Sequence, residues 1–299
     1  MKNIYMMAAI CITAIGCNHF AVPSNTPVTN VELQNDQGKV ILAGHCSISS
    51  LQSNPYKEWF DKSYNEYKID TSSAEMIKLL LQNKTIEIFL GSWCGDSKRE
   101  VPRMLKVLQS VNFDTADIQL IFVDNSVKKY KQSPQHEEAG KNIFRVPTFV
   151  VYNKKREIGR IIESPVVSLE KDLLAILKQE NYTPNYKAVV YWQQNMKHKI
   201  HSLADETLQQ FASLVKPLCR HTSEFNSYGY VLLAKENYAE ALNILRLNTF
   251  IYPDNEATYN NLGDAYMTVG NKEEAKKNYQ KVLQLKPDDD NAKKMLRQL

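Results

Sequence analysis

Apolar and polar residues follow two different patterns along this chain of 299 residues, and the change of pattern divides it. Up to about residue 180, short runs rich in β-branched and aromatic residues alternate with segments whose apolar residues have helical spacing. In chain order these patterns predict first a helix at 73–83 that begins with a capping box at 72–75, then a strand at 85–90, a helix at 98–111 and a strand at 118–123. A polar connector with a short helix follows at 124–142. After it we predict a hairpin at 148–152 and 157–163 and a helix from Ser168 to 178. This order predicts an α/β structure with one sheet covered on both faces.

Beyond residue 225 the pattern is helical and repeats with a period of 34 residues. Small or turn-forming residues recur at this distance: Gly229 and Gly263, Ala241 and Ala275, Pro253 and Pro287. The period and these positions resemble the tetratricopeptide repeat, a helix hairpin whose small residues let its two helices approach closely. The resemblance implies an all-α domain at 223–299, with hairpins at 223–253 and 257–287 and a terminal helix at 291–299.

The second repeat is the better copy, because the first has Leu232 and Leu245 in place of the aromatic residues Tyr266 and Tyr279. About three repeats are needed to bury a continuous core, so we expect help from linking helices at 186–222. These helices form either a degenerate preceding hairpin or a layer that packs the repeats onto the α/β domain. A repeat surface that binds a peptide or protein partner is expected, and a purely structural or dimerising role is the alternative.

The first 17 residues have the layout of an export signal. Lys2 precedes an apolar stretch at 4–15, which is too short to span about 30 Å of hydrocarbon. Residues 14–17, Ala-Ile-Gly-Cys, resemble the lipobox of bacterial lipoproteins, which implies that Cys17 carries lipid and anchors the protein in the cell envelope, facing the periplasm. Ordinary signal cleavage and an uncleaved anchor are the alternatives. Asn18 is not the aspartate that marks inner-membrane retention, so the outer membrane is favoured.

Composition supports further predictions. An N-terminal extension at 18–67 begins with a flexible tether up to residue 35, because that segment is rich in Asn, Thr, Pro and Ser. Lys and Arg total 37 against 33 Asp and Glu, a net charge of +4 without long runs of one sign, which gives no electrostatic case for nucleic acid. The cysteines and histidines lack metal-ligand spacing, so neither a metal nor another cofactor is predicted.

One segment carries the candidate chemistry: Trp93-Cys94-Gly95-Asp96-Ser97 lies between a predicted strand and a predicted helix. Pro102 follows Cys94 by eight residues, Val146-Pro147-Thr148 opens the hairpin, and Gly159 lies on its returning strand. Together these features resemble the active-site turn and cis-proline loop of thioredoxins, over residues 68–181. The resemblance implies a thioredoxin-like domain in which Cys94 is the nucleophile, Pro147 is cis, and Trp93, Val146 and Thr148 border a bound substrate.

A cysteine that opens a helix meets free backbone N–H groups and the positive end of the helix dipole, which both favour a thiolate. We therefore expect Cys94 to form mixed disulfides. Two departures from the family limit this chemistry. Ser97 replaces the second cysteine, and its hydroxyl cannot attack a disulfide. The buried acid that thioredoxins carry six residues before the nucleophile corresponds to Ile88, with Glu87 on the opposite face of the strand.

Three interpretations stay open on the sequence alone. Cys94 exchanges with the disulfides of partner proteins as a single thiol, and an outside thiol releases it. Alternatively, Cys46 or Cys219 serves as a remote resolving thiol, although a cysteine outside the motif is more often simply buried. In the third interpretation the domain has lost its catalytic activity and is a non-catalytic adaptor that uses both domains for protein binding.

Overall fold

The computed structural model describes residues 30–196 and 202–299. The predicted export signal, the lipobox cysteine Cys17 and most of the predicted tether lie outside these residues, so lipid anchoring and localisation stay predictions. No helix in the described parts of the chain is long and apolar enough to cross a membrane.

The N-terminal part is built on a six-stranded sheet, in the order β1-β2-β4-β3-β5-β6 among the described residues. The strands are β1 (Val31–Gln34), β2 (Val40–Cys46), β3 (Lys84–Leu90), β4 (Ile118–Phe122), β5 (Thr148–Asn153) and β6 (Arg156–Ile162). β3 and β4 are parallel, and every other neighbouring pair is antiparallel. The sheet is mixed, and its parallel centre carries the candidate active-site turn at the C-terminal end of β3.

The N-terminal extension belongs to this sheet through β1 and β2. β1 lies inside the segment 18–35, so the prediction of a tether was wrong for residues 31–34. β2 pairs with β4, where Cys46 lies opposite Leu120. The α/β domain therefore begins well before residue 68, because strands on both sides of residue 36 complete one edge of the sheet.

Helices cover one face of the sheet. They are α1 (Ile48–Leu51), α2 (Lys57–Glu66), α3 (Thr71–Leu80), α4 (Gly95–Ser110) and α5 (Leu169–Leu177). Leu42, Ile88 and Phe149 point from the strands into one core shared with these helices. Asp70 caps α3 by accepting the N–H of Ser73, so the helix starts at Thr71, before the predicted capping box, because Asp70 is an earlier residue able to cap it.

The other face is covered by the connector 124–147. Phe89, Ile121 and Val150 of the sheet share a second apolar cluster with Ile143 and Val146 of this connector. The short helix expected there is a single 3₁₀ turn at Val127–Lys129. The sheet is thus covered on both faces, as predicted, but helices of the α/β domain lie on only one of them.

The C-terminal part consists of helices throughout. They are α6 (Lys187–Met196), α7 (Asp205–Val215), α8 (Ser223–Ala234), α9 (Tyr238–Ile251), α10 (Glu256–Thr268), α11 (Lys272–Leu285) and α12 (Asp290–Leu296). A Cβ at Gly229 would lie 2.8 Å from Leu245, and one at Gly263 would lie 2.7 Å from Tyr279, so both glycines permit close helix packing. The fold class predicted from the sequence, an α/β thioredoxin-like domain followed by helical repeats, is confirmed.

The linking helices fulfil both roles that the sequence left open. α6 packs against α8 and α7 against α9, so they extend the stack of hairpins by one. The same apolar core contains Phe144 and Ile162 of the α/β domain. This shared core joins the two domains beside the cis-proline loop.

Candidate active site

Cys94 is the N-cap residue of α4, directly after the turn that follows β3. Gly91 permits this turn, because a Cβ there would lie 2.5 Å from the indole of Trp93. The indole Nε1–H donates to the carbonyl oxygen of Val123 at 2.9 Å, which ties the turn to the end of β4. Cys94 is partly exposed, and its Sγ donates to the carbonyl oxygen of Val146 at 3.3 Å.

The proline loop faces the thiol. The Val146–Pro147 peptide bond is cis. Trp93, Cys94 and Val146 contact one apolar cluster, so the structure brings these three predicted site residues together. Thr148 is 2% exposed and its hydroxyl donates to the carbonyl oxygen of Arg145 at 2.7 Å, so this side chain supports the loop from inside.

Ser97 is buried beneath the turn, one helical turn after Cys94. It is 1% exposed, and its Oγ accepts the N–H of Gly91 at 3.2 Å. Ile88 is fully buried on the same side of the sheet. Glu87 faces the opposite side, where its carboxylate accepts bonds from Lys141 at 2.7 Å and from Tyr152 at 2.9 Å. An apolar side chain therefore occupies the position of the family's buried acid.

Lys131 is a residue of this site that the sequence did not point to. It is 4% exposed, and its Nζ lies 5.0 Å from the centre of the Trp93 ring and 4.6 Å from that of Tyr130. Burial lowers the pKa of Lys131 to about 8, and the negative charge of an ionised Cys94 acts in the opposite direction. Its sequence context gave no signal, since it lies among other polar residues of the connector.

Comparison with known proteins supports both parts of the architecture. The tetratricopeptide repeat model matches residues 257–289. A relative from Saccharomyces cerevisiae, named thioredoxin-3, mitochondrial, is 30% identical over 118 residues, which are 38% of this chain and 83% of that protein. The chain belongs to the thioredoxin family. The repeat indicates protein–protein interaction in general, and the thioredoxin similarity indicates a redox or protein-binding role.

The other described thiols lie away from this thioredoxin turn. Cys46 is 2% exposed and lines a cavity of about 830 Å³ with Gln109 and Asn112, at the end of α4 opposite to Cys94. Burial raises the pKa of Cys46 to about 12. Cys219 follows α7 in the helical domain, and burial raises its pKa to about 11. The structure brings neither thiol to Cys94, and all three described cysteines are free.

The helical domain borders the thioredoxin site. Arg145, next to Val146, donates to the carbonyl oxygen of Ser223 at 2.9 Å and pairs with Glu163 at 3.1 Å. Gln132, next to Lys131, donates to the carbonyl oxygen of Ala234 at 2.9 Å. Both ends of α8 are thus attached to segments that hold the site.

Within residues 30–196 and 202–299, no group of three or more His, Cys, Asp or Glu side chains is arranged to hold a metal ion.

Proposed function

We propose that this protein exchanges thiols and disulfides with partner proteins through the single thiol of Cys94. The thiolate attacks one sulfur of a partner's disulfide, so that an Sγ–S bond forms, the partner's S–S bond breaks, and the leaving thiolate takes a proton from water. A thiol from outside, protein or small molecule, then attacks the mixed disulfide and releases Cys94. In each exchange one S–S bond forms for the one that breaks.

The observation that carries this proposal is the position of Cys94 at the N-terminus of α4, partly exposed and beside the Val146 carbonyl. Backbone N–H groups at a helix N-terminus stabilise a thiolate. Asp96 opposes this effect, but its carboxylate pairs with Arg99 at 2.7 Å. Neither of the other described thiols lies near Cys94, which supports exchange and trapping over two-electron reduction.

The test is trapping in the cells that make the protein. Acid stops thiol exchange, and the free thiols are then alkylated. The disulfide-linked adducts of the full chain are compared with those of Cys94→Ser and Cys219→Ser. We expect adducts with the wild type and with Cys219→Ser, and none with Cys94→Ser. Adducts that persist in Cys94→Ser, or no adducts in any form, contradict the proposal.

The alternative is a non-catalytic adaptor, and the repeat domain is the observation that favours it. An adaptor retains its partners without a covalent bond. Partners that co-purify equally with the wild type and Cys94→Ser after treatment with a reductant support this alternative.

We also propose that lipid at Cys17 holds the protein at the bacterial envelope, on the periplasmic side. The lipobox resemblance of residues 14–17 supports this placement. Replacing Cys17 by serine is expected to move the protein from the membrane fraction to the soluble fraction. Unchanged membrane association of Cys17→Ser contradicts lipid anchoring.

A further inference from the structure

Lys131 is a buried cation held in a fixed position. Its backbone has a positive φ of 56°, its N–H donates to the carbonyl oxygen of Asp124 at 2.8 Å, and the N–H of Asp124 donates to the carbonyl oxygen of Gln132 at 2.9 Å. These two bonds close the segment 124–132 into a loop at the end of β4. The side chain is therefore directed under Trp93 and beside Tyr130.

A buried ammonium group needs interactions that replace its lost hydration. Removing an isolated ammonium from water is strongly unfavourable, and two aromatic faces return only about 1–2 kcal/mol each. Within the described residues, no carboxylate lies within 4.0 Å of the Lys131 Nζ. An anion slightly farther away would stabilise the protonated form of Lys131 against this loss of hydration.

Three charged or ionisable groups act on Lys131 from the surrounding elements: Cys94 at the start of α4, Arg145 in the connector and Glu163 after β6. Glu163 already pairs with Arg145 at 3.1 Å and also accepts the hydroxyl of Tyr186. Burial raises the pKa of Glu163, so its anion is itself disfavoured. Glu163 already has Arg145 as its partner, whereas Cys94 directly follows Trp93, whose ring the Lys131 ammonium faces, and contacts the same apolar cluster as Trp93.

We propose that Lys131 is a positioning residue whose buried ammonium is the counter-ion of the Cys94 thiolate and sets the reactivity of that thiol. The ammonium stabilises the thiolate at a site that lacks the family's second cysteine and buried acid. When Cys94 forms a mixed disulfide, its negative charge disappears and Lys131 is left without an anion. The ammonium then favours the state in which Cys94 is released.

The role rests on the proposed thiol chemistry of Cys94, but its test reads the thiol itself and needs no partner protein. The full chain is alkylated with iodoacetamide between pH 5 and 10, and the rate is followed on the peptide that contains Cys94. Lys131→Met keeps the length of the side chain and removes its charge. Lys128→Met is the matched control, because it removes an exposed lysine from the same connector.

We expect Lys131→Met to lower the alkylation rate at pH 7 by about fivefold to tenfold, to move the midpoint of the rate profile upward, and to leave the limiting rate at high pH unchanged. Lys128→Met should follow the wild type. A profile of Lys131→Met that superimposes on the wild type overturns the proposal. A rate that falls equally at every pH also overturns it, because that result indicates a purely structural role.

A second measurement keeps Lys131 in place and avoids any fault in the folding of Lys131→Met. Coupling between two charges is reciprocal, so Cys94→Ser should lower the pKa of Lys131 further, as read by NMR of lysine labelled with ¹³C at Cε. An unchanged titration contradicts the pairing. If both measurements agree with the pairing while no adducts form in cells, the proposed function fails and the pairing stands.

Discussion

Ser97→Ala tests whether the residue in place of the second cysteine is structural. The Ser97 hydroxyl is buried and accepts the N–H of Gly91 at 3.2 Å, at the base of the turn that carries Trp93 and Cys94. Alanine removes the acceptor and leaves that N–H buried without a partner. An unsatisfied buried donor costs about 1–3 kcal/mol.

The assay is equilibrium urea unfolding of the full chain, followed by tryptophan fluorescence. With a slope of about 2 kcal/mol per molar urea, the loss corresponds to a midpoint lower by about 0.5–1.5 M. Ser110→Ala is the control, because this serine is an exposed residue at the end of the same helix and should change stability by less than about 0.5 kcal/mol. The alkylation rate of Cys94 in Ser97→Ala should stay within about twofold of the wild type.

Two outcomes refute this reasoning. Equal midpoints for Ser97→Ala and Ser110→Ala mean that the hydroxyl does not hold the turn. Unchanged stability together with a large loss of Cys94 reactivity means that Ser97 acts on the thiol directly.

Three further predictions concern the repeat, the charge at the site and the missing thiol. Gly263→Ala places a Cβ 2.7 Å from the ring of the fully buried Tyr279, so calorimetry should show the helical domain destabilised by about 1–3 kcal/mol; an unchanged melting temperature contradicts the close packing. Burial lowers the pKa of Lys131 in the folded state to about 8 from the ordinary 10.5, so the folded state binds this proton more weakly than the unfolded state. The free energy of unfolding should therefore rise as pH increases from 8 to 10.5. Urea titrations should show a smaller rise for Lys131→Met, and an equal rise contradicts the assignment. Ser97→Cys should form a disulfide with Cys94 after reaction with a disulfide peptide and release the peptide, whereas an adduct that persists as in the wild type contradicts this.

Local patterns were sufficient for the elements that define the fold. The helical spacing after Cys94, the β-rich runs at 85–90 and 118–123 and the turn within the hairpin depend on neighbouring residues, and the structure has each within about three residues of its predicted ends. The period of 34 residues also indicated that Gly229 and Gly263 let paired helices approach closely, and the structure places Leu245 and Tyr279 against these two glycines.

Features that depend on distant parts of the chain could not be predicted. β2 forms a strand because it pairs with β4, far along the chain, and the polar residues before it gave no hint of that partner. Lys131 has the composition of a solvent-exposed connector residue, and only the placement of Trp93 and Tyr130 around it makes it buried. Strand pairing also places Cys46 near the end of α4 opposite to Cys94, and local residue patterns carry no information about that pairing.

We propose that Cys94 works without a resolving thiol among the cysteines of the described residues. The most direct measurement mixes the reduced full chain with two copies of a short peptide joined by one disulfide and identifies the products by intact-mass and peptide-mass spectrometry. We predict that one copy leaves as a free thiol and that the other forms an adduct on Cys94 that persists until a small thiol is added, with Cys46 still reduced. An intramolecular disulfide between Cys94 and Cys46 or Cys219, formed with release of the peptide, would contradict the claim.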